Sequence, residues 1–146
     1  MANPEVITIG YERRTVDDVI AALVAAEVKT LVDVRLTPLS RKAGLSKRQL
    51  AARLLEAGID YLHLPQLGNP QANREAFRRG GADAIARYRA VLATPEGRTA
   101  LDQLLRLAIQ QRVALMCFER DAIECHRSTV ADALAEAGGA VEIAHL

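Results

Sequence analysis

Apolar segments with two different periods alternate along this chain, and that alternation most constrains its fold. Short runs rich in Val, Ile and Leu are typical of buried strands. The longer segments between them carry apolar residues every three or four positions, as on one face of a helix. The predicted strands cover residues 5–9, 29–35, 59–64, 113–118 and 140–146. Because such alternation favours parallel strands joined by helices, we predict an α/β fold: a mainly parallel sheet with helices on both faces, in a Rossmann-like three-layer arrangement.

Local signals mark the ends of the predicted helices. Thr15 with Asp18, and Ser46 with Gln49, have the spacing of a capping box, in which a hydroxyl and a side chain three residues later cap the helix start together. Gly58 is placed to end the second helix in a left-handed conformation. The predicted helices cover approximately residues 15–27, 50–57, 81–93, 95–111 and 126–137.

One segment lacks a regular period. Residues 65–80, PQLGNPQANREAFRRG, have the Pro, Gly and Asn content of a long loop. An ordered domain rarely keeps so long a loop without a use for it. We therefore predict an irregular lid over the functional site.

Length and composition narrow the class of protein. At 146 residues the chain is the size of one domain, and we predict a single domain over residues 1–146. The N-terminus lacks the basic and apolar segments of a signal peptide, and no apolar run reaches the roughly 18 residues of a membrane span. We therefore expect a cytoplasmic protein with no membrane association. In that compartment its two cysteines are expected to be free thiols.

Reactive side chains follow the predicted strands. The carboxyl ends of parallel strands meet at one edge of the sheet, where ligands of such folds bind. Four predicted strands end in, or are followed by, reactive side chains at this edge. The residues are Tyr11 and Glu12 after the first strand, Asp33 and Arg35 on the second, Tyr61 and His63 on the third, and Cys117 and Glu119 at the fourth.

The densest cluster is CFERDAIECHRSTVADAL, which runs from a buried strand into a helix. The helix start offers unpaired backbone N–H groups to an anion, and Arg127 could add two donors from its guanidinium. A positive field there would stabilise the thiolate of Cys125 or Cys117, with His126 as a proton-transfer group.

Structural alternatives accompany each of these interpretations. Asp33 and Arg35 could form an internal ion pair that holds the strand end. Cys117 could be a buried, inert thiol, and His63 could be a packed histidine with satisfied hydrogen bonds. A metal set of both cysteines with His126 and His63 is conceivable, but the C-x7-C-H spacing is not typical of zinc sites, so we predict no metal.

Four blocks of the sequence carry a family resemblance. TIGYE, LVDVRLTPLSRKAGLSK, GIDYLHLPQLG and ALMCFERDAIECHRS resemble, in order, the signature blocks of the bacterial family named domain of unknown function 488. The resemblance implies the fold and a shared site, but no reaction. The implied site consists of Gly10, Tyr11, Glu12, Asp33, Arg35, Ser40, Arg41, Tyr61, His63, Cys117, Glu119, Cys125, His126 and Arg127.

A fainter resemblance connects the chain with rhodanese domains. LVDVR, followed later by a strand, a cysteine, a loop, RS and a helix, is similar to their pattern, which implies a rhodanese-like form of the three-layer fold as the alternative to a Rossmann-like one. Here nine residues separate Cys117 from Arg127, a longer loop than in rhodanese, and the loop contains Glu119, Asp121 and Glu124. Because acidic residues oppose a thiolate, we do not expect sulfur transfer by the usual route.

Two basic segments flank the predicted site and suggest an anionic ligand. Residues 35–48 contain five cationic side chains and no acid, and Arg74, Arg78 and Arg79 form a second cluster. The leading hypothesis is an enzyme, a cysteine- or histidine-dependent transferase or hydrolase, acting on a phosphate-bearing or other anionic small molecule or nucleotide. The alternative is a non-catalytic module that binds nucleic acid or a nucleotide. The sequence identifies neither a cofactor nor an oligomeric state.

The hypothesis assigns roles to the residues of the site. The predicted catalytic residues are Cys117, Cys125, His126, His63, Glu119 and Glu12. The predicted substrate-binding residues are Tyr11, Asp33, Arg35, Ser40, Arg41, Tyr61 and Arg127.

Overall fold

A single sheet of five parallel strands organises the computed structural model, which describes residues 4–118, 126–138 and 141–146. The strand order is β3-β2-β4-β1-β5. The strands are β1 (Glu5–Gly10), β2 (Thr30–Asp33), β3 (Asp60–His63), β4 (Val113–Cys117) and β5 (Glu142–His145). The predicted α/β class is confirmed, and the finer likeness to a Rossmann or rhodanese fold stays a prediction.

Helices cover both faces of this sheet. The described helices are α1 (Val16–Ala25), α2 (Lys47–Glu56), α3 (Gln71–Arg78), α4 (Ala82–Leu92), α5 (Pro95–Gln110) and α6 (His126–Gly138), with a 3-10 turn at Pro65–Leu67. Alternate strand residues feed two separate apolar cores, because successive side chains of a strand point to opposite faces. The core with α1 and α2 contains Ile7, Ile9, Leu31 and Met116. The core with α3, α4, α5 and α6 contains Val6, Val32, Leu115 and Cys117.

The connections define where a ligand would enter this sheet. Strands β1 and β4 are neighbours, but the helices that follow them, α1 and α6, pack on opposite faces. The carboxyl ends of β1 and β4 are therefore the position where a ligand of an open α/β sheet is expected to bind. We call this position the β1/β4 crevice.

The prediction of an irregular lid over residues 65–80 is wrong. A 3-10 turn and α3 occupy this segment. Asn73 and Phe77, four positions apart, are both buried on the inner side of α3, and the Tyr88 hydroxyl donates a hydrogen bond to the Leu67 carbonyl. The Pro, Gly and Asn residues that suggested a loop lie mostly before the helix, where proline does not interrupt its hydrogen bonds.

One predicted capping box is confirmed and the other is wrong. Thr15 and Asp18 exchange hydrogen bonds at the start of α1. At α2, the Ser46 hydroxyl instead accepts from the Ser40 N–H at 3.0 Å, and Gln49 accepts from the Gly44 N–H at 3.1 Å. Both side chains stabilise the preceding loop rather than the helix. Gly58 has the predicted left-handed conformation, with a φ of 77°.

The helices of the described residues were compared with the length and hydropathy of a membrane-spanning helix. None of the helices there is both long enough and apolar enough to cross a bilayer.

Candidate functional site

A buried ion pair closes the carboxyl end of β2. Arg35 Nη2 donates to Asp33 Oδ2 at 2.7 Å, and Arg35 Nε donates to Asp33 Oδ1 at 2.9 Å. The other guanidinium nitrogen, Nη1, donates to the Leu45 carbonyl oxygen at 2.7 Å. Asp33 is fully buried and Arg35 is 6% exposed. Charges at this depth are tolerated when they are paired and hydrogen-bonded, so the structure shows the internal ion pair that was the alternative to a catalytic role.

Two tyrosines complete this pair. The Tyr61 hydroxyl donates to Asp33 Oδ2 at 2.6 Å, and the Arg35 guanidinium lies 5.3 Å from the centre of the Tyr11 ring. Burial tends to lower the pKa of Arg35, but the hydrogen bonds and charge of Asp33 outweigh it and raise the pKa. Burial, and then the hydrogen bond to Asp33, raise the pKa of Tyr61 above its ordinary value. At neutral pH the arginine is charged and the Tyr61 phenol is neutral.

His63 joins the same group from β3. Its Nε2 lies 2.7 Å from the Arg35 carbonyl oxygen. A carbonyl only accepts, so Nε2 carries the proton, and Nδ1 is the basic nitrogen when the ring is neutral. His63 is half-buried and aligns in register with Asp33. It thus lies two strand spacings, roughly 10 Å, from β4, and the β1/β4 crevice lies beyond β4.

The sheet separates Cys117 from this group. Asp33 pairs in register with Met116, so Cys117, one residue later, points to the opposite face. The Cys117 side chain lies in the core with α6, whereas Tyr11 lies in the core with α1 and α2. The predicted shared pocket therefore divides, because Tyr11, Asp33, Arg35, Tyr61 and His63 gather on one face without Cys117.

The expectation of free thiols is wrong for Cys117. This residue is disulfide-bonded and 1% exposed. A sulfur in a disulfide is not a thiolate, so Cys117 cannot act as the nucleophile in this state. The expectation came from the inferred compartment, which says nothing about local pairing. The other cysteine of the chain, Cys125, lies outside the described residues.

The side chains of three further predicted residues lie outside the part of the chain that the structure describes. Glu119 lies outside the described residues, as do the side chains of His126 and Arg127. Within the described ranges, no three His, Cys, Asp or Glu side chains are grouped so that they could hold a metal ion.

Ser40 and Arg41 lie on the loop between β2 and α2. The Ser40 hydroxyl accepts from the Lys42 N–H at 3.1 Å, which holds the loop in a tight turn. Arg41 is exposed. Both residues lie on the α1 and α2 side of the sheet edge rather than in the β1/β4 crevice.

Backbone hydrogen bonds shape the β1/β4 crevice itself. The Tyr11 N–H donates to the Cys117 carbonyl at 3.1 Å, and the Glu12 N–H donates to the Phe118 carbonyl at 2.7 Å. The Tyr11 and Phe118 rings meet edge to face, with centres 5.4 Å apart. The guanidinium of Arg78, at the end of α3, lies 5.9 Å from the centre of the Phe118 ring. The crevice therefore brings a partly exposed aromatic ring and a cation beside the backbone of Glu12.

The predicted site does not include Phe118 and Arg78. Phe118 continues the apolar run of the fourth predicted strand, and its position at the end of that run is the signal that could have identified it. Arg78 falls in the segment predicted as a lid. The spacing of Asn73 and Phe77 would have indicated the helix that carries it to the sheet edge.

One comparison with known proteins is positive. The family model described as "Domain of unknown function DUF488" matches residues 15–134. No curated protein and no solved structure matches the chain. The match covers most of the sequence, including β2, β3 and β4 with their strand-end residues, and it contains three of the four blocks that carry the resemblance; TIGYE, residues 8–12, precedes it. The chain therefore belongs to the DUF488 family.

Proposed function

We propose that this protein is an enzyme that acts on a phosphate-bearing or other anionic small molecule in the β1/β4 crevice. One observation carries the proposal: β1 and β4 are adjacent, and the helices that follow them pack on opposite faces of the sheet. Such a reversal of direction marks the usual ligand-binding position of open α/β sheets, which supports the proposal.

The residues at the crevice suit an anion with an attached apolar or aromatic part. Arg78 brings a guanidinium, which can hold phosphate or carboxylate oxygens with two parallel hydrogen bonds. Phe118 is 36% exposed beside it, which is unusual in a chain whose Phe77 and Tyr88 are almost fully buried. A ligand ring packed on Phe118 would remove this apolar surface from water.

Glu12 is the proposed general base or orienting group. It directly follows Tyr11 at the end of β1 and is half-buried at the mouth of the crevice. A carboxylate in this position can accept a proton from an attacking water or hydroxyl group. Arg35 is not proposed to bind the substrate, because its guanidinium already contacts Asp33 and the Leu45 carbonyl. It is instead a positioning residue for the loop beside the crevice.

Anion binding can be tested with two adjacent arginines of α3. Both arginines are exposed, but the Arg78 guanidinium lies over Phe118, whereas Arg79 pairs with Glu75 on its own helix. Arg78→Gln and Arg79→Gln remove the same charge one residue apart. Calorimetry with phosphate, pyrophosphate and AMP should show affinity reduced about 10-fold to 150-fold by Arg78→Gln, the equivalent of a charged hydrogen bond, and nearly unchanged by Arg79→Gln. Equal effects of both changes, or no binding of any of these anions, would contradict the proposal.

Turnover tests the catalytic part separately. With 4-nitrophenyl phosphate as the probe, Glu12→Gln should lower kcat by about 100-fold or more while phosphate affinity stays within a few-fold, as expected for loss of a general base. If Glu12→Gln retains full kcat, or if the wild type binds anions without turning over phosphate monoesters, the site is a binding site only.

A further inference from the structure

A strongly basic loop lies beside the β1/β4 crevice, where Lys42 Nζ donates to the Tyr11 carbonyl at 2.8 Å. Residues 36–49, which we call the basic loop, connect β2 with the first turn of α2. They include Arg41, Lys42, Lys47 and Arg48 and contain no acidic residue. The whole chain has a formal net charge of only +1, with 19 basic and 18 acidic residues. The positive charge is therefore concentrated locally and does not reflect a basic composition.

The basic loop is held in one conformation by its own hydrogen bonds. The Lys47 N–H donates to the Pro38 carbonyl at 2.9 Å, and Ser40 and Ser46 bond to each other at 3.0 and 3.2 Å. The side chain of Leu45 is fully buried beneath the loop. The Leu45 carbonyl accepts a hydrogen bond from Arg35, which connects the loop to the buried ion pair. Its cations are thus presented from a fixed support.

Three of these cations have no acidic partner. In the part of the chain that the structure describes, Arg41, Lys47 and Arg48 are exposed and form no ion pair. Other exposed or partly exposed arginines there do pair with acids, among them Arg53, Arg79, Arg89, Arg106 and Arg112. An unneutralised group of like charges on a fixed loop raises the local positive potential and attracts a polyanion.

The surface of the basic loop has the donors that phosphates use. A depression of about 550 Å³ is lined by the three unpaired cations together with Ser40 and Ser46. A neighbouring depression of about 490 Å³ shares Lys42 and extends the basic surface to Arg13 and Arg14; Asp17 also lines it and is paired with Arg53. Arginine, lysine and serine side chains are the usual contacts to a nucleic-acid backbone. Two adjoining depressions suit successive phosphates better than one small anion.

We infer that the basic loop is a docking surface for the phosphate backbone of a nucleic acid. The loop contains no aromatic residue, so it has no platform for stacking bases, and recognition does not depend on base sequence. A membrane surface fits less well, since insertion needs a broad apolar face. Among large apolar side chains the loop exposes only Leu36 and Leu39. The inference uses residues distinct from those of the proposed enzymatic site.

Two triple variants with equal charge loss test the inference. The loop variant carries Arg41→Ala, Lys47→Ala and Arg48→Ala, and the control variant carries Lys29→Ala, Arg87→Ala and Arg98→Ala, three exposed cations elsewhere. Fluorescence anisotropy with a labelled duplex of about 20 base pairs measures affinity as salt rises. Three phosphate contacts predict a logarithmic salt slope of about −2.7, which weakens wild-type binding about 40-fold between about 50 and 200 mM salt.

The loop variant should lose this salt dependence and most of its affinity, and the control variant should keep both. Equal weakening of the two variants, or no wild-type binding of the duplex at low salt, would overturn the inference. So would loop-dependent binding to vesicles of equal parts phosphatidylcholine and phosphatidylserine without duplex binding, because the partner would then be a membrane. Loss of duplex binding with unchanged phosphate affinity at Arg78 leaves the proposed enzymatic site intact, so the two proposals can fail separately.

Discussion

Removal of the Asp33 carboxylate should be among the most destabilising single changes in this protein. Asp33→Asn keeps the size of the side chain but leaves the Arg35 guanidinium buried, at 6% exposure, without its counter-charge. Breaking a buried ion pair by removing one partner costs about 3 to 5 kcal/mol, a large share of the roughly 5 to 15 kcal/mol that stabilises a domain. With a urea m value of about 2 kcal/mol/M, the midpoint of unfolding should fall by about 2 M.

Urea unfolding followed by circular dichroism provides the measurement, and an exposed pair provides the control. Asp102 pairs with Arg106 along α5 at 2.9 Å, with both side chains largely exposed. Asp102→Asn should therefore change the free energy of unfolding by no more than about 0.5 kcal/mol. The double variant Asp33→Leu/Arg35→Met should have a free energy of unfolding at least about 1 kcal/mol higher than that of Asp33→Leu alone, because the double variant has no unpaired buried charge. If Asp33→Asn costs no more than Asp102→Asn, the buried pair does not stabilise this strand end.

Three further predictions concern the tyrosines, a glycine and a cysteine. Burial and Asp33 raise the pKa of Tyr61, and burial raises that of Tyr88, so stability should be complete below about pH 10 and fall as pH rises further; in an absorbance titration Tyr61 and Tyr88 should ionise only as the protein unfolds. Gly68→Ala should cost about 1 to 3 kcal/mol, because its Cβ would lie 2.5 Å from backbone of the neighbouring loop, whereas Gly80→Asn, at an open left-handed position, should cost less than about 1 kcal/mol in the same urea assay. Iodoacetamide should modify Cys117 only after reduction, as seen by mass spectrometry; labelling without reductant would contradict the disulfide.

Much of the fold could be predicted because its signals are local. The five strands and the helices α1, α4 and α5 follow from periodicity and from capping residues such as Thr15. The errors arose where tertiary contacts outweighed local preference. Helix α3 forms despite its Pro and Gly surroundings because Asn73 and Phe77 are buried, and Ser46 bonds to Ser40 instead of capping α2.

The arrangement of the candidate site depended on information that one strand does not contain. Alternation within a strand assigns side chains to two faces, but only the register between strands relates the faces of β2 and β4. The pairing of Asp33 with Met116 determines that Cys117 faces away from the Asp33 group. The gathering of reactive residues at one sheet edge was therefore predictable, and its division between two faces was not.

The location of anion binding is the most direct test of the proposed function. Titration of ¹⁵N-labelled protein with inorganic phosphate, followed by amide chemical shifts, reports where the ligand sits. The proposal predicts saturable shifts at Tyr11, Glu12, Phe118 and the end of α3, with the same apparent Kd at each. Shifts confined to residues 36–49, or spread over both ends of the sheet without saturation, would contradict a site in the β1/β4 crevice.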